Sequence, residues 1–327
     1  MLKAIGSLFL LSLFIPAEFH LMLWGLRLEG YRVILAIAML YVLFNLHEVQ
    51  QRATVVDVLL LVMTMVVFAS FWYNHGIAKA LESTGIFALE SLGAFYLARL
   101  FIDSPQRFYF FNQFLITALG LLSVFTVYEA VSRQRILHEW AELITHQQAL
   151  DPRLYTDDYL RNGLLRATSV FEHPILYGTL LATFFPFAVL MLWRYRQILD
   201  ALKLIALTVS MFLTLSSAPL LAVVFQAFSS ILVLFWNGAR HFWVSLLFAS
   251  LSVAMLIEAL SNRGVLGILI ATLTFNPNTG FFRMLQWQYT SDDISNNLLL
   301  GIAHHDWTRP YWMEWMGNSI DSFWLLL

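Results

Sequence analysis

Long apolar runs divide this chain, and they restrict it to folds in which most of the sequence sits in a lipid bilayer. A run of about 20 apolar residues is long enough to cross the hydrocarbon core as a helix. The sequence therefore predicts an all-α fold, a polytopic transmembrane helix bundle, as a single integral membrane domain over residues 1–327. The nine candidate spans are Ala4–Trp24, Tyr31–Leu46, Val55–Trp72, Ser83–Ile102, Phe108–Val131, Pro174–Trp193, Ala201–Ser216, Ala218–Trp236 and Phe242–Leu260.

The composition agrees with a membrane protein. Only 12% of the residues are charged and 59% are hydrophobic, whereas about a quarter of a typical soluble domain is charged. The net charge of −2 gives no indication of nucleic-acid binding. The chain has no cysteine, which excludes disulfides and thiolate metal sites.

Apolar runs lie at both ends of the sequence, and the C-terminal run is short. A tenth apolar run begins near Asp321 and stops at Leu327, which is too short to cross a bilayer. We therefore expect about nine to ten spans, of which the last is incomplete. An apolar run follows Lys3, and no small-residue cleavage pattern precedes Pro16, so we expect an uncleaved first anchor and not a signal peptide.

The distribution of Lys and Arg predicts the orientation of the spans. With a cytoplasmic N-terminus, the short cytoplasmic turns hold eight basic residues and the opposite turns hold three, namely Arg27, Arg32 and Lys79. This orientation places two long external loops, 132–173 and 261–320, in the periplasm of a Gram-negative cell. The eight cytoplasmic residues are Lys3, Arg52, Arg99, Arg107, Arg194, Arg196, Lys203 and Arg240.

The first external loop contains a helical pattern. Leu137, Trp140, Ala141 and Ile144 fall on one helical face, which predicts an amphipathic helix lying in the membrane interface. We expect it to end before Asp151-Pro152, because the residue before a proline disfavours the helical conformation.

Turn residues mark two further places. Ser216-Ser217-Ala218-Pro219 joins two apolar runs, as a tight turn or as a break within one longer helix. Irregular backbone at that depth is tolerated where protein or a wet cavity covers it, so we expect Ser216 and Ser217 to face a cavity. In the second loop, Asn276–Gly280 predicts a turn and Phe281–Thr290 a short helix that presents Arg283 and Trp287 on one face.

Four stretches of the sequence resemble the O-antigen ligase and polymerase superfamily of bacterial membrane proteins. They follow one another in the family's order: Arg166–Gly178, Leu213–Leu220, Arg283–Ile302 and Asn318–Leu325. Three positions differ from the ligase pattern, because Ser217 replaces an arginine, Asp321 a histidine and Leu298 a proline. At these three positions the sequence is similar to the exopolysaccharide-polymerase branch of the superfamily.

The resemblance implies a fold similar to C-type glycosyltransferases and a reaction on a glycan carried by undecaprenyl pyrophosphate. It implies polymerisation or ligation of that glycan at the periplasmic face of the inner membrane, without a metal or cofactor. The expected partners are the lipid-linked donor, a glycan acceptor, membrane lipids and other polysaccharide-assembly proteins. A transporter or flippase for lipid-linked oligosaccharide is the alternative, and a non-catalytic assembly subunit is a third possibility.

The chemistry of this reaction indicates candidate residues. A pyrophosphate leaving group needs permanent positive charge, which arginine supplies as a bidentate donor. Removing the acceptor's hydroxyl proton needs a base, and the sugars need flat apolar surfaces. The candidate clamp residues are Arg166, Arg283, Arg161 and Arg263, the candidate bases are Asp321, His173 and Glu172, and the candidate sugar platform is Trp287 with Trp307, Trp312 and Trp315.

Each candidate also has a purely structural interpretation. The loop arginines are solvated or paired with acids, His173 before Pro174 caps a helix, and the tryptophans form an interfacial belt. His304-His305-Asp306 is similar to a metal cluster, but adjacent loop residues rarely ligate one ion, so we expect no metal site. Glu90, in the middle of a span, is either a functional acid or a hydrogen-bond partner of a neighbouring helix.

Overall fold

The computed structural model describes residues 2–23, 26–45, 47, 53–148, 150, 159–161, 163–235, 240–260, 268, 277–303, 305 and 307–314. The described part of the chain is mostly helical, as predicted. Four of its helices are long and apolar enough to cross a membrane: Val55–His75 (α3), Ile77–Phe101 (α4), Pro105–Ser132 (α5) and Pro174–Tyr195 (α7). These helices indicate a membrane protein, while the number of spans stays a prediction.

The first predicted span, Ala4–Trp24, is wrong as a continuous helix. Helix α1 covers only Leu2–Ser12, and the chain then forms an antiparallel hairpin of His20–Leu23 (β1) and Leu26–Glu29 (β2). The Ser12 hydroxyl donates to the Phe9 carbonyl, which satisfies a helix-end acceptor. Pro16, which has no N–H for a helical hydrogen bond, separates the two elements.

Helix α2, Gly30–Phe44, lies where the second span was predicted but is only 15 residues long. Its buried face packs on α1 and α4 through a cluster of Ile5, Leu35, Ala38 and Leu97. Helix α3 begins with a capping box, in which Thr54 and Asp57 bond each other's backbone.

The remaining helices follow the predicted order, and one of them begins earlier than predicted. Helices Ile198–Leu213 (α8), Ser217–Phe235 (α9) and Arg240–Leu260 (α10) match the last three predicted spans. The turn predicted at Asn276–Gly280 is wrong from Pro277 onward, because Pro277 begins helix α11, which continues to Asn296. Proline suits the first position of a helix, where its missing N–H has no intrahelical partner.

The predicted interfacial helix is present as Ile136–Thr145 (α6). Ala141 is buried against the protein, whereas Trp140 and Ile144 are exposed, so the predicted apolar face is divided between the protein interior and its surface. The position of α6 in a membrane interface stays a prediction, and Asp151-Pro152 lies outside the described residues.

Contacts between the described residues form two compact units. The first contains residues within 1–15, 19–108 and 282–327, and the second contains residues within 16–18 and 109–281. In the second unit, α7 packs against α8 and α9. Gly178 of α7 makes this possible, because a Cβ there would lie 2.7 Å from Pro219 Cγ and 2.9 Å from Thr214 Oγ1. The prediction of a single membrane domain stays a prediction.

Candidate functional site

A short hairpin brings the first resemblance stretch to the end of α8. Strands Leu160–Arg161 (β3) and Leu164–Leu165 (β4) pair around Gly163, whose φ of +80° suits glycine. After β4, the Ala167 N–H donates to the Leu213 carbonyl at 3.0 Å. Residues 160–167 therefore lie beside the junction between α8 and α9, more than 40 positions later in the chain.

Two predicted clamp residues contact this junction. The buried Arg166 guanidinium donates from Nη2 to Ser216 Oγ at 2.9 Å and from Nε to the Thr214 carbonyl at 3.4 Å. Arg161 Nη1 donates to the Leu215 carbonyl at 2.6 Å. Carbonyls at the end of a helix have no intrahelical partner, so both guanidinium groups stabilise the irregular backbone between α8 and α9.

The junction interrupts the helices close to the position that the sequence predicted, where a tight turn or a break within one longer helix was expected. Helix α8 ends at Leu213, α9 begins at Ser217, and Leu215 between them has a left-handed φ of 47°. Ser216 is buried and faces the Arg166 guanidinium. The predicted cavity at Ser216 and Ser217 stays a prediction.

Sequence reasoning missed a buried ion pair next to Arg166. Glu129, near the end of α5, accepts from Arg135 Nη1 at 2.5 Å and from the backbone N–H groups of Thr168 and Ser169 at 3.1 and 2.8 Å. The side chains of Glu129 and Arg135 are 3% and 0% exposed. Removing both charges from water costs free energy, which the hydrogen bonds of the pair offset. Because these bonds join the end of α5 to Arg135 and to residues 168–169, they hold these segments in one geometry.

The ion pair also connects to the predicted clamp. Arg135 Nη2 donates to the Arg166 carbonyl at 3.3 Å, and Nη1 reaches Thr168 Oγ1 at 2.6 Å. The contacts around residues 159–169 thus join three guanidinium groups, those of Arg135, Arg161 and Arg166, and the Glu129 carboxylate. This cluster, which we call the arginine cluster, has the donor types that bind phosphate oxygens.

Two of the predicted bases lie at the start of α7. His173 is the N-cap residue, and its Nδ1 accepts a hydrogen bond from the Ile175 N–H at 3.1 Å, so the capping interpretation is confirmed. The Tyr159 ring lies close to both His173 and Arg166. It is edge-on to the His173 ring, with the ring centroids 6.2 Å apart, and its centroid is 5.4 Å from Arg166 Cζ. Glu172 is half-buried beside His173. Catalytic roles for His173 and Glu172 stay predictions.

A second buried acid–base pair was also missed. Glu18, in the segment before β1, accepts from His138 Nδ1 on α6, with the two oxygens 2.9 and 3.1 Å away. Both side chains are fully buried. No sequence pattern pointed to this pair, because its members are 120 positions apart.

The other predicted site residues are placed in the first unit or lie outside the described residues. Arg283 is half-buried on α11. The side chain of Trp287 is outside the described part, as are Arg263 and Asp321. The meeting of Arg166, Arg283 and Asp321 in one pocket therefore stays a prediction.

The second loop packs onto the end of α3 within the first unit. Ser70 donates to the Leu300 carbonyl, and Asn74 Nδ2 donates to the Gly301 carbonyl at 3.3 Å. Trp307 is buried against Met313, so it is a core residue and neither a sugar platform nor part of an interfacial belt.

The histidines of the second loop have a structural role in the described residues. His305 stacks on His75 with ring centroids 4.1 Å apart, while His304 and Asp306 lie outside the described part. Among the described residues, no three side chains of the metal-ligating kinds form a group.

Comparison of the chain with protein-family models, curated proteins and solved structures finds no match.

Proposed function

We propose that this chain is a metal-independent glycosyltransferase that polymerises or ligates a glycan carried by undecaprenyl pyrophosphate, in exopolysaccharide or O-antigen biosynthesis. One observation carries the proposal. Arg161 donates to the Leu215 carbonyl and Arg166 donates to the Ser216 hydroxyl. The stretch that begins at Arg166 and the stretch Leu213–Leu220, which both carry the family resemblance, therefore meet in space. Their meeting assembles cationic donors around an irregular helix junction.

The chemistry of the donor explains why arginine is needed. As the glycan leaves, negative charge builds on the lipid pyrophosphate, and fixed donors that stabilise this charge lower the barrier. A guanidinium stays charged and has five N–H donors in a planar fork, so it can hold the helix junction and a phosphate oxygen together. In the proposal, Arg166 is the principal clamp, and Arg161, Arg283 and Arg263 assist it.

The acceptor side of the reaction uses the remaining candidates. Asp321, His173 and Glu172 are the proposed proton acceptors for the attacking hydroxyl, and Trp287 is the proposed sugar contact. The proposed partners are the lipid-linked donor, a glycan acceptor, membrane lipids and other polysaccharide-assembly proteins. No metal or cofactor is required, because the charge stabilisation is assigned to guanidinium groups.

The basic residues at the helix ends support one orientation for each long helix. In the first unit, the end of α4 carries Arg99, which favours the cytoplasm for that end. If α4 crosses the bilayer, the end of α3 at His75 and the second loop that contacts it are then periplasmic. In the second unit, the end of α7 carries Arg194 and Arg196, which favours the cytoplasm for that end and the periplasm for the first loop that precedes α7. We propose an inner-membrane location with a cytoplasmic N-terminus.

Substitution of Arg166 tests the proposed function in cells. In a strain that lacks the native gene, Arg166→Ala should abolish the polymer, and Arg166→Lys should reduce it strongly because lysine lacks the bidentate fork. Arg194→Ala, an exposed arginine at the other end of α7, is the matched control and should keep wild-type polymer. Polymer length and amount are read on gels, with membrane-fraction immunoblots for protein level. Wild-type polymer from Arg166→Ala would contradict the proposal.

A transporter or flippase is the second candidate, and one observation favours it. Helix α4 contains a π-helical turn at Leu89–Gly93, and Glu90 in this turn accepts from Tyr31 Oη and Arg32 Nε, each at 2.8 Å. Glu90 therefore bonds a neighbouring element, as one of its two interpretations predicted. Charged groups near the middle of a candidate span often mark a transport path.

The site at which lipid-linked repeat units accumulate distinguishes the two functions. Loss of a polymerase or ligase leaves the units on the periplasmic side, whereas loss of a flippase leaves them on the cytoplasmic side. In a deletion strain, accessibility of the units to an added glycosidase before and after permeabilisation reports the side. Periplasmic accumulation agrees with glycan transfer, and cytoplasmic accumulation favours transport.

A further inference from the structure

The buried pair of Glu18 and His138 has the geometry of an oriented base. Glu18 holds His138 by Nδ1, and His138 Nε2 is buried with no hydrogen-bond partner among the residues that the structure describes. A carboxylate oxygen accepts hydrogen bonds, so Nδ1 carries a hydrogen, and in the neutral ring Nε2 then presents a lone pair. Buried polar atoms in proteins are nearly always bonded, and an exception needs an explanation such as a catalytic role.

The pair lies near the arginine cluster in the sequence, and both belong to the second unit. His138 is in the first turn of α6, and Arg135 is the N-cap residue that immediately precedes this helix, three positions earlier. Arg135 in turn donates to the Arg166 carbonyl and to Thr168 Oγ1. The N-terminal end of α6 therefore carries both Arg135, which donates to the Arg166 backbone, and the His138 imidazole, whose Nε2 has no partner among the described residues.

We propose that His138, oriented by Glu18, is the general base of the glycan transfer, an inference that rests on the proposed function. The acceptor hydroxyl gives its proton to His138 Nε2, and its oxygen forms the new bond to the anomeric carbon of the donor sugar. The bond between that carbon and the pyrophosphate oxygen breaks, and the electron pair leaves with the lipid pyrophosphate. Glu18 stabilises the resulting imidazolium and keeps the ring in the productive tautomer.

Among the described candidates, His138 suits this role better than His173. The Nδ1 atom of His173 is engaged by the Ile175 N–H in capping α7, whereas the Nδ1 atom of His138 faces a carboxylate that orients the ring and leaves Nε2 without a partner among the described residues. Because the His138 side chain is fully buried, the acceptor must displace the residues that cover the ring before it reaches Nε2. A covered base favours transfer over hydrolysis, because water is kept from the reacting carbon.

Substitution by asparagine tests the base with little change of shape. In His138→Asn the amide nitrogen takes the position of Nδ1 and still donates to Glu18, but Nε2 is lost. With purified full-length protein, lipid-linked donor and acceptor, kcat should fall about 100- to 10,000-fold, while donor binding and thermal unfolding stay close to wild type. His146→Asn, an exposed histidine at the other end of α6 in the left-handed conformation that asparagine tolerates, is the matched control and should keep wild-type kcat.

A second variant keeps the proposal testable if His138→Asn folds poorly. Glu18→Gln retains an acceptor for Nδ1 but removes the charge that stabilises the imidazolium, so kcat should fall with donor binding unchanged. The double variant should be no slower than His138→Asn, because the two residues act as one unit. Full activity of either single variant, or a loss of donor binding equal to the loss of kcat, would overturn the proposal. Absence of transfer by the wild-type protein would instead contradict the proposed function itself.

Discussion

Arg166 and Ser216, fifty positions apart in the chain, are joined by a hydrogen bond of 2.9 Å between the guanidinium Nη2 and the serine hydroxyl. Both groups are buried, and the serine oxygen also donates to the Thr214 carbonyl at 3.1 Å. The bond fixes the guanidinium at the junction of α8 and α9. This relationship connects the loop before α7 to the helix break and underlies the first prediction.

Removal of the Ser216 hydroxyl should destabilise the protein and loosen the guanidinium. Ser216→Ala leaves a buried charged donor without this acceptor, which costs about 1–3 kcal/mol. Ser230→Ala is the matched control, since Ser230 is exposed on α9 and donates to the Gln226 carbonyl of its own helix. The effect of this control should stay within about 0.5 kcal/mol. Thermal unfolding in detergent measures both. Equal unfolding temperatures for the two variants would argue against a structural role for the bond.

Breaking the buried ion pair should cost more than breaking a surface pair. Glu129→Ala leaves Arg135 buried without its carboxylate, and such losses amount to about 3–5 kcal/mol. Lys79 and Glu82 form an exposed pair at 2.9 Å, so Glu82→Ala should cost about 1 kcal/mol or less. The free energy of unfolding by denaturant titration compares the two. A cost for Glu129→Ala as small as that for Glu82→Ala would contradict the burial and bonding of the pair.

Two glycine substitutions should have opposite effects. In Gly178→Ala the new Cβ would clash with Pro219 and Thr214, and overpacking of this kind costs about 1–3 kcal/mol. Gly85→Ala on α4 meets nothing within 4 Å, so it should stabilise its helix by up to about 1 kcal/mol. Unfolding temperatures in detergent measure both changes. A stabilised Gly178→Ala would show that α7 does not approach the α8–α9 junction so closely.

The orientation can be tested directly because the natural chain contains no cysteine. Gln148 and Arg194 are both exposed, near the end of α6 and at the end of α7 respectively. In spheroplasts, a membrane-impermeant thiol reagent should label Gln148→Cys at once, and Arg194→Cys only after permeabilisation. Labelling in the reverse order would place the first loop in the cytoplasm and contradict a periplasmic site.

Elements with strong local signals were predictable from the sequence. The long apolar helices, the amphipathic α6 and the break at Ser216 depend on hydrophobic period and turn residues that lie within a short window. The β1–β2 hairpin was not predicted, because its apolar residues continue the run of α1 and length alone suggested one span. Pro16 was the local signal for that boundary.

The partners inside the site were less predictable than the elements. Arg166 was predicted through a resemblance, whereas Glu129 lay inside the predicted span Phe108–Val131 and Arg135 inside the first external loop, and neither was singled out. An acid in the last turn of a helix, followed within two turns by an arginine, was the signal that could have indicated the pair. Glu18 and His138 have no such signal, because tertiary packing alone brings them together.

In the proposed reaction, the Arg166 guanidinium stabilises the departing lipid pyrophosphate. The most direct measurement is the rate of lipid-pyrophosphate release by the purified protein with saturating donor and acceptor, for wild type, Arg166→Lys and Arg194→Ala. We expect Arg166→Lys to lower this rate about 100- to 1,000-fold without loss of folding, and Arg194→Ala to match the wild type. Equal rates for Arg166→Lys and the wild type would contradict the account.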